Sequence, residues 1–164
     1  MNELQRVLVG DAAAAAPEQV VRGVTEERSR RRPAGSPRSL YEELWHVTFW
    51  LERSRDWIGG KPTPYPASAV DGFPTVLEME RESWAELVQR FLRGLERAAE
   101  AAGEAARLEG PVECPSVPGE PMRTMTVREQ LENLGAHNSY HLGRMVLLRQ
   151  MLGAWPPEGG GFTW

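Results

Sequence analysis

Two long runs of apolar residues repeat at helical spacing, and each opens on the same pair of capping residues. Ser39 stands three positions before Glu42, and Thr126 three before Glu129. In such a box the hydroxyl takes the backbone N–H of the third helical residue, and the carboxylate reaches back to the N–H of the cap. After Ser39, the residues Leu40, Leu44, Val47, Leu51 and Ile58 make one stripe, widened by Trp50 and Trp57. From Thr126 to about Leu152, a second stripe holds Val127, Leu131, Leu134, Met145, Leu148 and Leu152. A helix with one apolar stripe must lay it against another element, so these runs commit the chain to helix-on-helix packing.

Two further runs supply the partners. Pro17 to Arg30 reads as a short helix with Pro17 near its first turn and Val20, Val21 and Val24 on one side. The Ala12–Ala16 tract before it extends that helix or holds an N-terminal arm. Thr75 to Arg107 reads as a long helix whose apolar face is Trp84, Leu87, Val88, Phe91, Leu95 and Ala98. Between the runs lie Pro33, Gly35 and Pro37, then residues 59–74 with four prolines and three glycines, then the Pro-rich stretch 110–123. The 59–74 loop is long enough to cross something or to cover a site. Gly135, Ser139 and Gly143 form a row of small residues that permits close helix approach. Gly153, Pro156 and Pro157 end the last run, and the tail to Trp164, with Trp155 and Phe162, is expected to pack back on the bundle. No repeat and no alternating strand pattern is visible. The expectation is an all-α protein, a four-helix bundle with long crossover loops, forming one domain over residues 1–164.

Charge and composition remove several classes of function. A formal charge of −4 argues against a nucleic-acid surface. The basic run Arg28, Arg30, Arg31 and Arg32 is short and reads as a solvated linker. Cys114 is the only cysteine, which excludes an internal disulfide and fits a reducing compartment. It sits in a Pro-rich loop without a neighbouring histidine, a poor setting for a nucleophile. No stretch is apolar enough to span a bilayer, and the start lacks the layout of a signal peptide. A cytoplasmic protein with no membrane partner is expected.

The three histidines carry the chemistry. His137 and His141 are four apart, one turn apart on one helix face, inside the apolar arc of the last run. His46 falls at the edge of the buried arc of the second run, beside Trp50 and Trp57. Buried alone, each is a hydrogen-bonded core residue. Together they make a three-nitrogen metal site with open positions, and on pattern both readings stand. The segment from His137 to His141 has zinc-protease spacing but lacks the glutamate after the first histidine that acts there as general base. Glu43 and His46 match one Glu-x-x-His unit of a di-iron bundle, but Leu134 and Asn138 occupy the positions of a second. A mononuclear centre remains, and donor type alone does not separate zinc, nickel, iron and manganese. Glu43 and Asn138 are candidates to support the ligands by hydrogen bonds. For Glu43 a solvated helix face is the slightly favoured alternative.

His46, the pair His137 and His141, the segment Tyr140-His141-Leu142-Gly143-Arg144 and the ending Gly153-Ala154-Trp155-Pro156-Pro157 resemble the DinB-like superfamily. The resemblance runs from about Pro17 to the end. It implies a four-helix bundle with one divalent metal, zinc or nickel first and iron or manganese next, held by His46, His137 and His141. It also implies a low-molecular-weight thiol as co-substrate, as in bacillithiol-dependent S-transferases and mycothiol-dependent maleylpyruvate isomerase. The metal there lowers the pKa of the thiol, which attacks an electrophile. The expected function is then a thiol S-transferase of detoxification or stress response. Its partners are a small thiol and an electrophile, and a homodimer is allowed. Trp50, Trp57 and Tyr140 are candidates to wall a substrate pocket, or to pack in the core. Arg53 and Arg144 are candidates to bind a carboxylate, or to be helix-surface charges. A non-enzymatic metal-binding or interaction bundle is the alternative, and a hydrolase using bound hydroxide is a further one. No protein residue is singled out as catalytic.

Overall fold

The computed structural model describes residues 1–10 and 15–159. Ala12–Ala14 and the tail residues Phe162 and Trp164 lie outside the described residues. The helices in chain order are α1 (Glu3–Val9), α2 (Pro17–Val21), α3 (Glu26–Arg30), α4 (Leu40–Ile58), α5 (Val76–Arg81), α6 (Trp84–Gly103) and α7 (Val127–Met151). A hairpin of β1 (Pro111–Cys114) and β2 (Arg123–Thr126) leads into α7, with Val112 opposite Met125.

Helix α4 is the central element, packed on α6 along one side and α7 along the other. Its first turns are buried nearly all round, from Leu40 to Phe49, as expected for a helix with neighbours on several faces. Helix α1 closes the bundle on the far side of α6 and α7, helped by α2. The Asn2 and Gln5 amides donate to the Ala102 and Ala99 carbonyls at 2.8 and 2.9 Å and tie α1 to the end of α6. Gly135 permits this closure, because a Cβ there would meet Val7 Cγ1 at 2.7 Å. Of the other small residues in that row, Ser139 bonds back to the Gly135 carbonyl, and Gly143 faces open space. The core joins Leu44, Val47, Leu87, Phe91, Leu131 and Met145, all fully buried.

Several elements differ from the sequence reading. The run 17–30 is two helices, because Thr25 caps a fresh turn by accepting the Arg28 N–H. The run 75–107 likewise breaks after α5, where Ser83 and Glu86 form a capping box that starts α6. A bundle wall comes from α1, which carries no long stripe. The Pro-rich connection 110–123 and the three residues after it form the β-hairpin, whose four-residue strands are too short to show alternation. The basic run is not a free linker. Arg32 forks onto Glu42 at 2.7 and 2.8 Å, and Arg30 donates to the Glu82 carbonyl and lies over the Tyr41 ring. Buried Arg149 donates to the carbonyls of Gln19, Val20 and Ala154, which pins the end of α7 and the start of the tail to α2.

Candidate metal centre

Helix α4 brings His46 to the bundle interior, and α7 brings His137 and His141 to face it. The ring centres lie 4.5 Å (His46–His141), 4.5 Å (His137–His141) and 5.1 Å (His46–His137) apart. One ligand atom from each falls within 4.8 Å of the others. All three histidines of the chain therefore meet at one point.

The partners of these rings decide which nitrogens are available. His46 Nδ1 is 2.7 Å from the Gly72 carbonyl. A carbonyl only accepts, so Nδ1 carries the proton and Nε2 keeps its lone pair. His141 Nδ1 is 2.7 Å from Glu43 Oε2, which again leaves Nε2 bare. His46 Nε2 and His137 Nε2 are 3.1 Å apart. Lone pairs held this close repel unless a proton or a cation lies between them. Two nitrogens bound tetrahedrally to one zinc ion are about 3.3 Å apart. The donor set is three imidazoles with two ring orientations already held, and it fits a divalent metal.

Burial keeps His46 and His137 neutral. Burial lowers the pKa of His46 to about 4, against the pull of its Gly72 hydrogen bond. Burial and the neighbouring His141 and His46 do the same for His137, also to about 4. Neutral imidazole is the form that binds metal. Glu43 is fully buried. Its burial pushes the carboxyl up, but hydrogen bonds from His141 and Arg144, with the Arg144 charge, hold it below the ordinary range. Arg144 reaches Glu43 with Nε at 3.0 Å and Nη2 at 2.8 Å. Glu43 is thus not a solvated face residue but the link between a ligand and an arginine. Asn138 is buried, and neither its amide oxygen nor its nitrogen has a hydrogen-bond partner among the described residues; nor has His137 Nδ1. Asn138 lies beside His137 and works against the fall in that ring's pKa.

The 59–74 loop lies over one side of the three histidines. Phe73 stacks on His46 at 4.2 Å with the rings nearly parallel, and Arg38 covers the other face of Phe73. A Cβ at Gly72 would come within 3.3 Å of His46 Nδ1, so that position holds the ring as a carbonyl without a side chain. A cavity of about 770 Å³ opens from the histidines between this loop, α4, α7 and the hairpin. Trp50 and Trp57 line it. Trp57 is also a core residue, with its indole N–H on the Thr63 carbonyl.

The other three expected pocket residues lie elsewhere. Arg53 stacks on Phe49 and donates to the Pro64 carbonyl, so it pins the loop from outside. Tyr140 is exposed, with its hydroxyl on Arg144, and Arg144 is taken by Glu43. All three sit on helix faces that point past the cavity. Tyr65, Ser54, Gln130 and Arg123 line the cavity instead. Nothing marks them in the sequence except the length of the loop that carries Tyr65.

A family model described as the DinB superfamily matches residues 11–145. The chain belongs to the DinB superfamily. The match includes His46, His137 and His141, and in this DinB protein those histidines form the cluster able to hold a metal. A search of curated proteins finds no match. No helix among the described residues of the DinB chain is long and apolar enough to cross a membrane.

Proposed function

We propose that this protein is a metal-dependent thiol S-transferase of the bacillithiol and mycothiol type, acting in detoxification or stress response. The observation that carries the reading is a cavity that opens on three metal-competent nitrogens and, among the described residues, is lined by no cysteine and no carboxylate. A divalent metal held by His46, His137 and His141, zinc or nickel before iron or manganese, would lower the pKa of a thiol and supply a thiolate at neutral pH.

The chain's residues do the rest. Glu43 and the Gly72 carbonyl keep the protons of His141 and His46 on Nδ1. Phe73 and Trp50 shield His46 from water. The aromatic wall of Trp50, Trp57 and Tyr65 offers an apolar surface to an electrophile. The reaction forms a bond from the thiol sulfur to an electrophilic carbon; the S–H bond breaks and its proton goes to solvent, and the carbon's leaving group, chloride in the test below, departs with its electron pair. The attacking thiol must come from outside. Cys114 is fully buried, and burial pushes its pKa up. A hydrolase needs a general base near the bound water. Among the described residues the cavity lining has no Asp or Glu, and Glu43 is committed to His141 and Arg144. A cytoplasmic setting, with a small thiol and an electrophile as partners, follows from the reading, and a free buried cysteine suits it.

The test is thiol consumption by the zinc-loaded protein with 1-chloro-2,4-dinitrobenzene as electrophile. Turnover should vanish in a folded His141→Ala variant. Unchanged turnover in that variant would sink the reading.

A further inference from the structure

We infer that the cavity beside the three histidines takes an organic molecule bearing a carboxylate, which Arg123 grips at the mouth. The inference rests on the functional reading above, because the same cavity opens on the histidines. The whole chain is acidic, at −4. The cavity is the opposite. Among the described residues its lining holds no Asp or Glu, and Arg123 is its one Lys or Arg. Every positive charge added there, including a bound metal, goes without a counter-charge on the wall.

Arg123 is placed for this by the hairpin. It lies directly opposite Cys114 in the β1–β2 register, and opposite residues share a face. Cys114 is fully buried on that face, so Arg123 lies on the same side of the hairpin, itself exposed to solvent. It makes no ion pair and no side-chain hydrogen bond among the described residues, whereas Arg90, Arg128 and Arg144 are each paired with a glutamate. An unpaired planar fork is suited to a carboxylate.

A second polar group lies near it. Gln130 accepts the Cys114 thiol at 3.4 Å and donates to Ser54 Oγ at 2.9 Å, so Ser54 is joined through Gln130 to the residue opposite Arg123. Trp50, Trp57 and Tyr65 also line the cavity, with Trp57 and Tyr65 stacked nearly parallel at 6.3 Å. A cation with a polar neighbour and an aromatic wall match an anionic molecule with an apolar body. The volume, about 770 Å³, is that of a small-ligand site.

The carboxylate can belong to the thiol or to the electrophile. Two matched pairs of probes separate them: 3-mercaptopropionate against its methyl ester, and cinnamate against methyl cinnamate. Each is titrated calorimetrically into the zinc-loaded and zinc-free full chain, and into Arg123→Gln. In at least one pair the acid should bind wild type about fivefold tighter than the ester at low salt. That preference should vanish in Arg123→Gln, whose zinc content is unchanged. The pair that shows it assigns the carboxylate to thiol or electrophile. Equal binding of acid and ester in both pairs would overturn the inference. So would a preference that survives Arg123→Gln, since the metal would then be taking the carboxylate. Failure of the thiolate reading looks different: neither thiol would bind better with zinc than without it, while an Arg123-dependent preference for cinnamate remained.

Discussion

Replacing Glu43 by glutamine keeps the shape of a fully buried side chain and removes its charge. The carboxylate now accepts from His141 Nδ1 at 2.7 Å and from Arg144 at 2.8–3.0 Å, so both oxygens face donors. Glutamine has one oxygen to offer. If that oxygen faces Arg144, the amide N–H₂ faces His141 Nδ1, and the ring proton must move to Nε2, where it blocks a metal. If the oxygen faces His141, the amide opposes the guanidinium. Arg144 is about one-third exposed and can turn to water, so this second arrangement is the accessible one. His141 then keeps its orientation but loses a charge-assisted hydrogen bond, an interaction of about 1.5–3 kcal/mol. Zinc affinity should fall about tenfold to a hundredfold, the range for losing a carboxylate partner behind a metal-bound histidine. The assay is competition with a chromophoric chelator at pH 7, with circular dichroism to show that the bundle is intact. A folded Glu43→Gln protein that binds zinc within about twofold of wild type would refute the reasoning.

Three other outcomes are expected. Gly72→Val places a branched side chain against His46, whose Nδ1 a Cβ already approaches to 3.3 Å; zinc affinity should drop about tenfold while the melting temperature stays close to wild type, and unchanged affinity would count against the loop as a ligand support. In metal-free protein, His46 and His137 have folded-state pKa values of about 4, below their unfolded value of 6.5. Their contribution is fully present above pH 6.5 and is lost as pH falls toward 4, because only the unfolded chain takes up those protons. The urea midpoint should fall across that window, and the slope should flatten in a His46→Gln/His137→Gln variant. Phe91→Ala empties a fully buried site between α6 and α4 and should cost about 3–5 kcal/mol by denaturant titration, with no such loss for the exposed Leu147→Ala.

What was legible in the sequence is what local rules govern. The boxes at Ser39 and Thr126 mark the starts of α4 and α7, and helical spacing puts His46, His137 and His141 on inward faces. The boxes at Ser83 and Thr75 are equally readable, yet no Gly or Pro stands between Thr75 and Arg93 to mark the break between α5 and α6. Two parts of the site were not local. Glu43 lies one turn before His46, and on a helical wheel it falls between Trp50 and Val47 of the apolar stripe; only its charge suggested a solvated face. The partners that go with its burial, Arg144 and His141, come from α7. Arg123, Tyr65 and Gly72 reach the cavity through loop paths that no periodicity encodes. Arg53, Tyr140 and Arg144 were the natural substrate candidates by sequence proximity to the ligands, but a helix turns neighbours away from one another.

The most direct test is metal content by mass spectrometry, on wild type and His137→Ala prepared without a nickel column. About one divalent metal per chain in wild type, lost in a folded variant, is the result expected from three converging imidazole lone pairs. A folded wild type that carries no metal and takes up neither zinc nor nickel would contradict it. The three histidines would then be core residues, and the transferase reading would fall with the metal.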